Sequence, residues 1–129
     1  MKMNDYINDF ANHLKEAIKT SHNTTLKKPK TNIKNVLICG LGGSGIGGAI
    51  VSDLIAKKTK TPIIINNDYS IPAFVNEHTL VIVSSYSGNT EETLSALEKC
   101  QAKAAEIAII TSGGRLNEIG KKNNYNKLI

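Results

Sequence analysis

The sequence predicts an α/β domain built on a doubly wound parallel sheet with helices on both faces. Short continuous apolar runs such as NVLIC (35–39) and IAIIT (107–111) are typical of strands that are buried on both sides. These runs alternate along the chain with segments of helical periodicity. Because parallel strands need crossover connections, this alternation favours helices that cover both sides of one sheet.

The first part of the chain, residues 1–34, is expected to form an N-terminal helix and a linker. Residues 3–19 space their apolar side chains at steps of three and four, which predicts an amphipathic helix with one face to bury. That face consists of Tyr6, Ile7, Phe10, Ala11, Leu14 and Ile18. Residues 20–34 lack periodicity and carry polar residues, lysines and a proline, so we expect a linker there.

The main domain is predicted over residues 35–129. Strands are expected at 35–39, 62–66, 79–84 and 107–111, and helices at about 45–58, 90–102 and 115–122. The final NNYNKLI has the pattern of the start of another strand. Because few domains end where a strand begins, we expect a truncated or expressed fragment.

Composition narrows the class of protein. The chain has 129 residues, of which 40% are hydrophobic and 21% charged, as in a single globular domain. It has neither an apolar run of membrane-spanning length nor a secretory signal, so we expect a cytoplasmic protein with no membrane partner. The net charge of +5 comes from lysine clusters with few aromatics, which disfavours a nucleic-acid partner. Cys39 and Cys100 fit neither a disulfide framework nor a metal site and are expected in the core.

Three loops rich in glycine and hydroxyl groups follow three of the predicted strands. They are GLGGSGIGG (40–48), SSYSGNT (84–90) and TSGG (111–114). In an open α/β sheet the loops at the carboxyl ends of the strands converge on the ligand. The first loop contains GxGxxG, which leaves a dinucleotide site open, although the second strand ends in asparagines and Asp68 follows late. A P-loop is excluded because no lysine follows the glycines.

The loop after the third strand favours one phosphate group. Ser85, Ser87 and Thr90 place short hydroxyls at the mouth of a predicted helix, whose exposed N–H groups attract an anion. A dinucleotide site has no need of this second hydroxyl-rich loop, whereas a phosphate monoester has a use for it. An ordinary capped helix would account for the same residues without a ligand.

Neighbouring residues of this loop carry further expectations. Asn89 is expected to cap the helix, with Glu92 at the capping-box position. The carboxylates of Glu91 and Glu92 suit the helix dipole but would repel a phosphate, so the phosphate interpretation requires them to point away.

Together, GLGGSGIGG, SYSGNTEE and TSGGRL resemble the SIS (sugar isomerase) domain, and most of all the N-terminal domain of the bifunctional phosphoglucose/phosphomannose isomerase family. The resemblance covers about residues 35–116 and implies a flavodoxin-like SIS fold. It implies phosphate-binding hydroxyls at Ser85, Ser87 and Thr90, and sugar-binding residues at Gly42, Gly43 and Ser44.

The resemblance implies an aldose–ketose isomerase that interconverts glucose 6-phosphate or mannose 6-phosphate with fructose 6-phosphate. It implies no metal or redox cofactor, and a homodimer in the full-length protein. The reaction needs acid/base groups and a cation for the enediolate. In the family the arginine lies in a ProArg motif beyond the last strand seen here, and the glutamate and histidine lie in a second SIS domain. We therefore expect binding without turnover; a non-catalytic SIS module that senses a phosphosugar is the alternative.

Several residues keep open roles at this stage. Arg115 either reaches the site or starts a helix at the surface, and Tyr86 either lines the pocket or packs. His13, His22 and His78 are expected at the surface rather than as catalytic bases. The pattern does not distinguish which hexose phosphate is preferred.

Overall fold

The computed structural model describes residues 2–129, apart from the side chain of Tyr6. The elements of the described chain are α1 (Met3–Asn8), α2 (Phe10–Asn23), β1 (Asn35–Cys39), α3 (Gly42–Ile55), β2 (Ile63–Asn66), β3 (Thr79–Ser84), α4 (Glu91–Ala102), β4 (Glu106–Ile110), α5 (Gly114–Asn123) and β5 (Asn126–Leu128). No helix within residues 2–129 is both long enough and apolar enough to cross a bilayer.

The five strands form one sheet in the order β2-β1-β3-β4-β5. Every neighbouring pair is parallel, so the predicted doubly wound parallel sheet is confirmed. This is the flavodoxin-like strand order, in which the direction of winding reverses between β1 and β3. The chain leaves these two adjacent strands toward opposite faces, which opens a crevice at their carboxyl ends.

The hydrophobic core lies on one face of the sheet. Leu37 of β1, Val81 of β3 and Leu97 of α4 are buried against one another. The connection from β2 to β3, residues 67–78, forms no helix but adds Val75 to the same cluster. This face is therefore closed by α4, α5 and a loop.

Both cysteines lie in that core, as predicted. Cys39 ends β1 and Cys100 lies in α4, and both are buried free thiols. The hydrogen bond that the Cys100 S–H donates to Cys39, together with burial, raises the pKa of the Cys100 thiol above its usual range. Cys100 therefore stays protonated and packs as a small apolar residue.

The opposite face is only partly covered. α3 packs on β1 there, and a Cβ on Gly48 would lie 2.7 Å from Cγ2 of Ile38, so the missing side chain lets the helix sit close to the sheet. Beyond β1 the cover is thin, because Ile110 of β4, which points to this face, remains 43% exposed. Helices do lie on both faces, but the two faces are unequally buried.

The prediction for the N-terminal segment is partly wrong. The single expected helix is divided at Asp9 into α1 and α2, and α2 runs on into the predicted linker. Its apolar face was expected to be buried, yet Phe10, Leu14 and Ile18 are 62%, 49% and 57% exposed. The prediction for Tyr6 lies outside the described side chains. Periodicity identifies an apolar face but not whether the chain supplies a partner for it.

The linker is fixed along the amino ends of the last two strands. Oδ1 of Asn126 accepts from the Lys27 N–H at 2.8 Å, and its Nδ2 donates to the Lys27 carbonyl at 2.9 Å. The Lys30 N–H donates to the Glu106 carboxylate at 2.7 Å. These bonds give an aperiodic segment a defined path.

Element boundaries otherwise agree with the prediction to within a few residues. α3 begins earlier than expected, at Gly42, whose φ is +53°. Because glycine adopts this left-handed conformation without steric cost, the chain turns from β1 into the helix almost at once.

Candidate functional site

The loops after β1 and β3 lie side by side at the switch point of the sheet. A Cβ on Gly40 would lie 3.2 Å from the carbonyl oxygen of Ser84, so the two strand ends are in close contact. α3 and α4 begin from these loops. Within the described chain, neither N-cap residue, Leu41 or Thr90, makes a side-chain hydrogen bond to the first-turn N–H groups of its helix. Two sets of first-turn N–H groups, which carry partial positive charge, thus face the same crevice region.

Two of the predicted phosphate residues form a hydroxyl pair at the start of α4. Ser85 Oγ lies 2.9 Å from Thr90 Oγ1 and also accepts from the Gly88 N–H at 3.1 Å. Ser85 is only 4% exposed and therefore shapes the loop from within, whereas Ser87 is exposed and Thr90 is half-buried.

Ser87 keeps a donor for a ligand. Its Oγ accepts from the Asn89 N–H at 3.2 Å. Because a hydroxyl has one proton and two acceptor sites, this bond leaves the Ser87 proton free to donate outward.

The predicted cap of α4 is wrong. Thr90 occupies the N-cap position, so Asn89 lies one residue before it and Glu92 is not at the capping-box position. Oδ1 of Asn89 instead accepts from the Arg115 N–H at 3.0 Å, in the first turn of α5. The side chain does cap a helix, but one that follows a different strand.

The β3 loop is held tightly against the loop after β4. Their backbones are joined by bonds from Ser85 N–H to Ile110 O (3.0 Å), Ser112 N–H to Tyr86 O (3.1 Å) and Leu116 N–H to Gly88 O (2.9 Å). Gly88 has φ +73°, and a Cβ there would lie 1.9 Å from the carbonyl oxygen of Gly113. Only glycine allows this approach. The loop after β4 (TSGG, 111–114) therefore supports the β3 loop from one side.

The β1 loop is open by contrast. Gly42 and Gly43 are exposed, and a Cβ on either would meet no atom of residues 2–129 within 4 Å. Ser44 is half-buried and lines a cavity of about 380 Å³ that lies between α2 and this edge of the sheet. The cavity is also lined by Ser84, Tyr86, Ile110, Ser112 and Leu128. The cavity therefore includes Ser44, one of the three predicted sugar-binding residues.

The three predicted phosphate-binding residues do not line this cavity, although their loop contributes to it. Ser85, Ser87 and Thr90 are not among its lining residues, whereas Tyr86, in the same loop, is. Tyr86 is 82% exposed, so it lines the cavity rather than packing in the protein.

The acidic residues of α4 turn toward the β2–β3 connection. The Tyr69 hydroxyl donates to Oε2 of Glu91 at 3.3 Å, and Glu92 lies beside Asp68 in a narrow crevice. Partial desolvation and the charges of Glu92 and Glu91 raise the pKa of Tyr69, which keeps its hydroxyl protonated as a donor. The Asp68 carboxylate accepts from the Tyr69 N–H at 2.7 Å, so it is engaged in its own turn.

Arg115 lies beside the β3 loop, since its N–H donates to Asn89, whereas His13 and His78 make contacts elsewhere. The Arg115 side chain lines a surface depression with Glu118 and Lys122. Nε2 of His13 pairs with Asp9 at 3.2 Å on α2, and Nδ1 of His78 lies 3.0 Å from the Asn32 carbonyl. Within residues 2–129, His, Cys, Asp and Glu side chains form no group of three that could hold a metal ion.

Sequence reasoning missed the residue that shapes the third loop. Thr111 is 4% exposed; its Oγ1 donates to the Gly113 carbonyl at 2.9 Å and accepts from the Gly113 N–H at 3.2 Å. A threonine placed between a strand end and a Gly-Gly pair was the available signal. Ile110 and Leu128 could not have been found, because they join the cavity only through the position of α2.

The comparison with known families gives one match over most of the chain. The SIS domain model matches residues 31–128. Two curated relatives are bifunctional phosphoglucose/phosphomannose isomerases, from Caldicellulosiruptor bescii (46% identical over 112 residues) and Thermoplasma acidophilum (52% over 86 residues). The alignments cover 87% and 67% of this chain but only 33% and 27% of the relatives. The chain thus spans about a third of their length.

A solved structure agrees with the fold. A candidate phosphosugar isomerase from Clostridium difficile superposes with a TM-score of 0.79 at 24% identity, over 92% of this chain and 36% of that one. At this identity the likeness concerns the fold alone. The SIS match, however, includes all three glycine and hydroxyl loops. The chain therefore belongs to the SIS domain family.

Proposed function

We propose that the chain binds a sugar phosphate by its phosphate group. In the whole protein it would be the phosphosugar-binding half of an aldose–ketose isomerase that interconverts glucose 6-phosphate or mannose 6-phosphate with fructose 6-phosphate. The observation that carries the proposal is the Ser85–Thr90 hydroxyl pair at the start of α4, beside the start of α3. The names of the relatives support the reaction.

The phosphate subsite consists of uncharged donors. The hydroxyls of Ser87 and Thr90 and the first N–H groups of α4 would surround the anion, and the helix dipole adds about half a positive charge. Ser85 fixes the hydroxyl of Thr90 from behind, so little reorganisation is needed on binding. The Glu91 carboxylate accepts from the Tyr69 hydroxyl, and Glu92 lines the crevice beside Asp68, so both acids are directed toward the β2–β3 connection.

The sugar subsite is the open β1 loop. The exposed backbone at Gly42 and Gly43 would let a sugar approach without a side chain in its way. Ser44 would present its hydroxyl from the cavity of about 380 Å³, which lies within the size range of small-molecule pockets. Tyr86 would form the outer wall.

We propose that this chain alone binds without turnover. Proton transfer between C1 and C2 needs a base within reach and a cation for the enediolate. Of the described candidates, His13 pairs with Asp9 and Arg115 lies with Glu118 on α5. The chemistry itself uses no metal or redox cofactor. Cytoplasmic location and a homodimer in the full-length protein stay predictions.

Thermal unfolding with a panel of ligands tests the ligand class. Fructose 6-phosphate, glucose 6-phosphate and mannose 6-phosphate should each raise the midpoint, by about 2.7 kcal/mol of stabilisation at a hundredfold excess over Kd. Unphosphorylated fructose should have no effect. Stabilisation by NAD and not by the sugar phosphates would overturn the ligand class.

A coupled isomerase assay tests the absence of turnover separately. We expect no conversion of fructose 6-phosphate by the chain at concentrations where it binds the ligand. Conversion above the rate of a heat-treated sample would contradict this part of the proposal while leaving the binding site intact.

A further inference from the structure

The side chain of Tyr86 is uncovered at the edge of the candidate site. Among the large hydrophobic residues that the structure describes, Tyr86 is the most exposed, at 82%. It lies in the β3 loop between Ser85 and Ser87, two of the predicted phosphate-binding residues, and it lines the cavity of about 380 Å³. The ring therefore offers free apolar area directly beside the proposed phosphate subsite.

The backbone that carries this ring is fixed, although the ring itself is not covered. The Tyr86 carbonyl accepts from the Ser112 N–H at 3.1 Å and also from the Ser112 hydroxyl. The preceding N–H, that of Ser85, donates to the Ile110 carbonyl at 3.0 Å. Because a tyrosine side chain has only two torsions, little freedom is lost when its ring meets a ligand. The β3 loop thus presents Tyr86 as a rigid platform.

The rest of the cavity combines apolar groups with neutral hydroxyls. Its lining includes two aliphatic side chains and three serines, namely Ile110, Leu128, Ser44, Ser84 and Ser112. Within residues 2–129, no charged side chain lines this cavity. A sugar placed there would be recognised by apolar contacts and neutral hydrogen bonds.

The two forms of a hexose differ in the apolar surface that they can offer to such a ring. A closed sugar ring carries hydroxyls around its rim and C–H groups that together form an apolar face. The open chain has no continuous face, because its carbons rotate independently. An aromatic ring gains in proportion to the apolar area that it covers, so it favours the closed form.

We propose that Tyr86 is a specificity-determining residue that stacks on the C–H face of the closed sugar ring, so that the site prefers cyclic sugar phosphates to acyclic ones. In this arrangement Tyr86 contacts the sugar, whereas Ser87 and Thr90 hold the phosphate. The inference rests on the proposed function, because it takes the phosphate subsite as its starting point.

Calorimetry of the 129-residue chain with a cyclic and an acyclic ligand tests the proposal. Glucose 6-phosphate and sorbitol 6-phosphate carry the same phosphate group on six carbons, but sorbitol 6-phosphate cannot close a ring. We expect Tyr86→Ala to lower the affinity for glucose 6-phosphate roughly tenfold. The affinities for sorbitol 6-phosphate and inorganic phosphate should stay within about twofold of the wild type.

Two further variants serve as controls for the ring. Tyr86→Phe keeps the ring without its hydroxyl and should bind all three ligands like the wild type. Phe74→Ala removes another exposed aromatic ring, one in the β2–β3 connection that does not line the cavity, and should also leave the three affinities unchanged.

Proton NMR of the ligand gives a readout that does not depend on affinity. Protons above an aromatic ring are shifted upfield, so the C–H signals of glucose 6-phosphate should move upfield when it binds the wild type or Tyr86→Phe. At saturation with Tyr86→Ala this shift should be absent.

Three results would overturn the proposal. An unchanged affinity of Tyr86→Ala for glucose 6-phosphate would remove the contact, and equal losses for all three ligands would remove the selectivity for the ring. Either result would leave the proposed phosphate subsite intact. Failure of the wild-type chain to bind any of the three ligands would instead overturn the proposed function together with this inference.

Discussion

The loops after β3 and β1 lie at the same edge of the sheet but are built in opposite ways. The β3 loop is backed by the TSGG loop, with Ser85 buried and Gly88 pressed against Gly113. The β1 loop leaves Gly42 and Gly43 facing open space. A phosphate group has one fixed shape and gains from donors that are already in place, whereas a sugar that opens its ring needs room. This difference supports our proposal that the β3 loop holds the phosphate and the β1 loop the sugar.

The largest expected effect comes from adding a methyl group to the tight loop. Gly88→Ala combines a left-handed φ of +73° with a Cβ 1.9 Å from a carbonyl oxygen, so we expect a loss of about 3 kcal/mol or more of unfolding free energy in urea. Gly43→Ala is the matched control and should change stability by less than about 1 kcal/mol, in the stabilising direction. Equal losses in both variants would remove the contrast between the loops.

The next effect concerns the donors of the tight loop. Ser87→Ala combined with Thr90→Val removes two hydroxyls that would bond a charged group, so calorimetry should show an affinity for fructose 6-phosphate lowered about a hundredfold. The unfolding midpoint should stay close to that of the wild type. Thr25→Val with Ser70→Ala removes comparable hydroxyls from exposed positions elsewhere and should keep the affinity. Unchanged affinity in the first variant would refute the assigned phosphate subsite.

A smaller effect is expected where the tight loop caps α5. Asn89→Ala removes the oxygen that accepts from Arg115, which should lower the unfolding free energy by about 1 kcal/mol. Asn89→Asp keeps the oxygen and should restore most of it. Hydrogen exchange should show faster opening in the first turn of α5; faster opening in α4 would instead support the cap predicted from the sequence.

The smallest effect concerns the open loop. Gly43→Ala places a methyl group where the sugar would approach, so the affinity for fructose 6-phosphate should fall roughly fivefold. Binding of inorganic phosphate should not change. A parallel loss for both ligands would mean that the β1 loop, too, contacts the phosphate.

The sequence was sufficient for the sheet and for the location of the loops. The runs at NVLIC and TLVIVS are continuous and apolar, and such runs have few alternatives to parallel strands, although every second residue of TLVIVS is only half-buried. The N-terminal segment was less predictable. Its periodicity is that of a buried helix, but burial depends on a partner surface, and Phe10 and Leu14 find none among the described residues of the chain.

Within the site, residue type was predictable but orientation was not. Ser85 and Ser87 are alike in the sequence, yet Ser85 is buried in the loop, where its Oγ accepts from the Gly88 N–H, and Ser87 is exposed. Asn89 precedes one helix in the chain and reaches another in space. Asn89 caps α5 rather than α4 because the order of the strands places the β4 loop against the β3 loop.

Backbone amide NMR of the chain tests the central claim most directly, because it locates the bound phosphate residue by residue. Titration with inorganic phosphate and with fructose 6-phosphate should move the amide signals of residues 87–93 most. The signals of residues 42–44 should move with the sugar phosphate alone. Equal changes with unphosphorylated fructose, or changes confined to other elements while 87–93 stay still, would contradict the account.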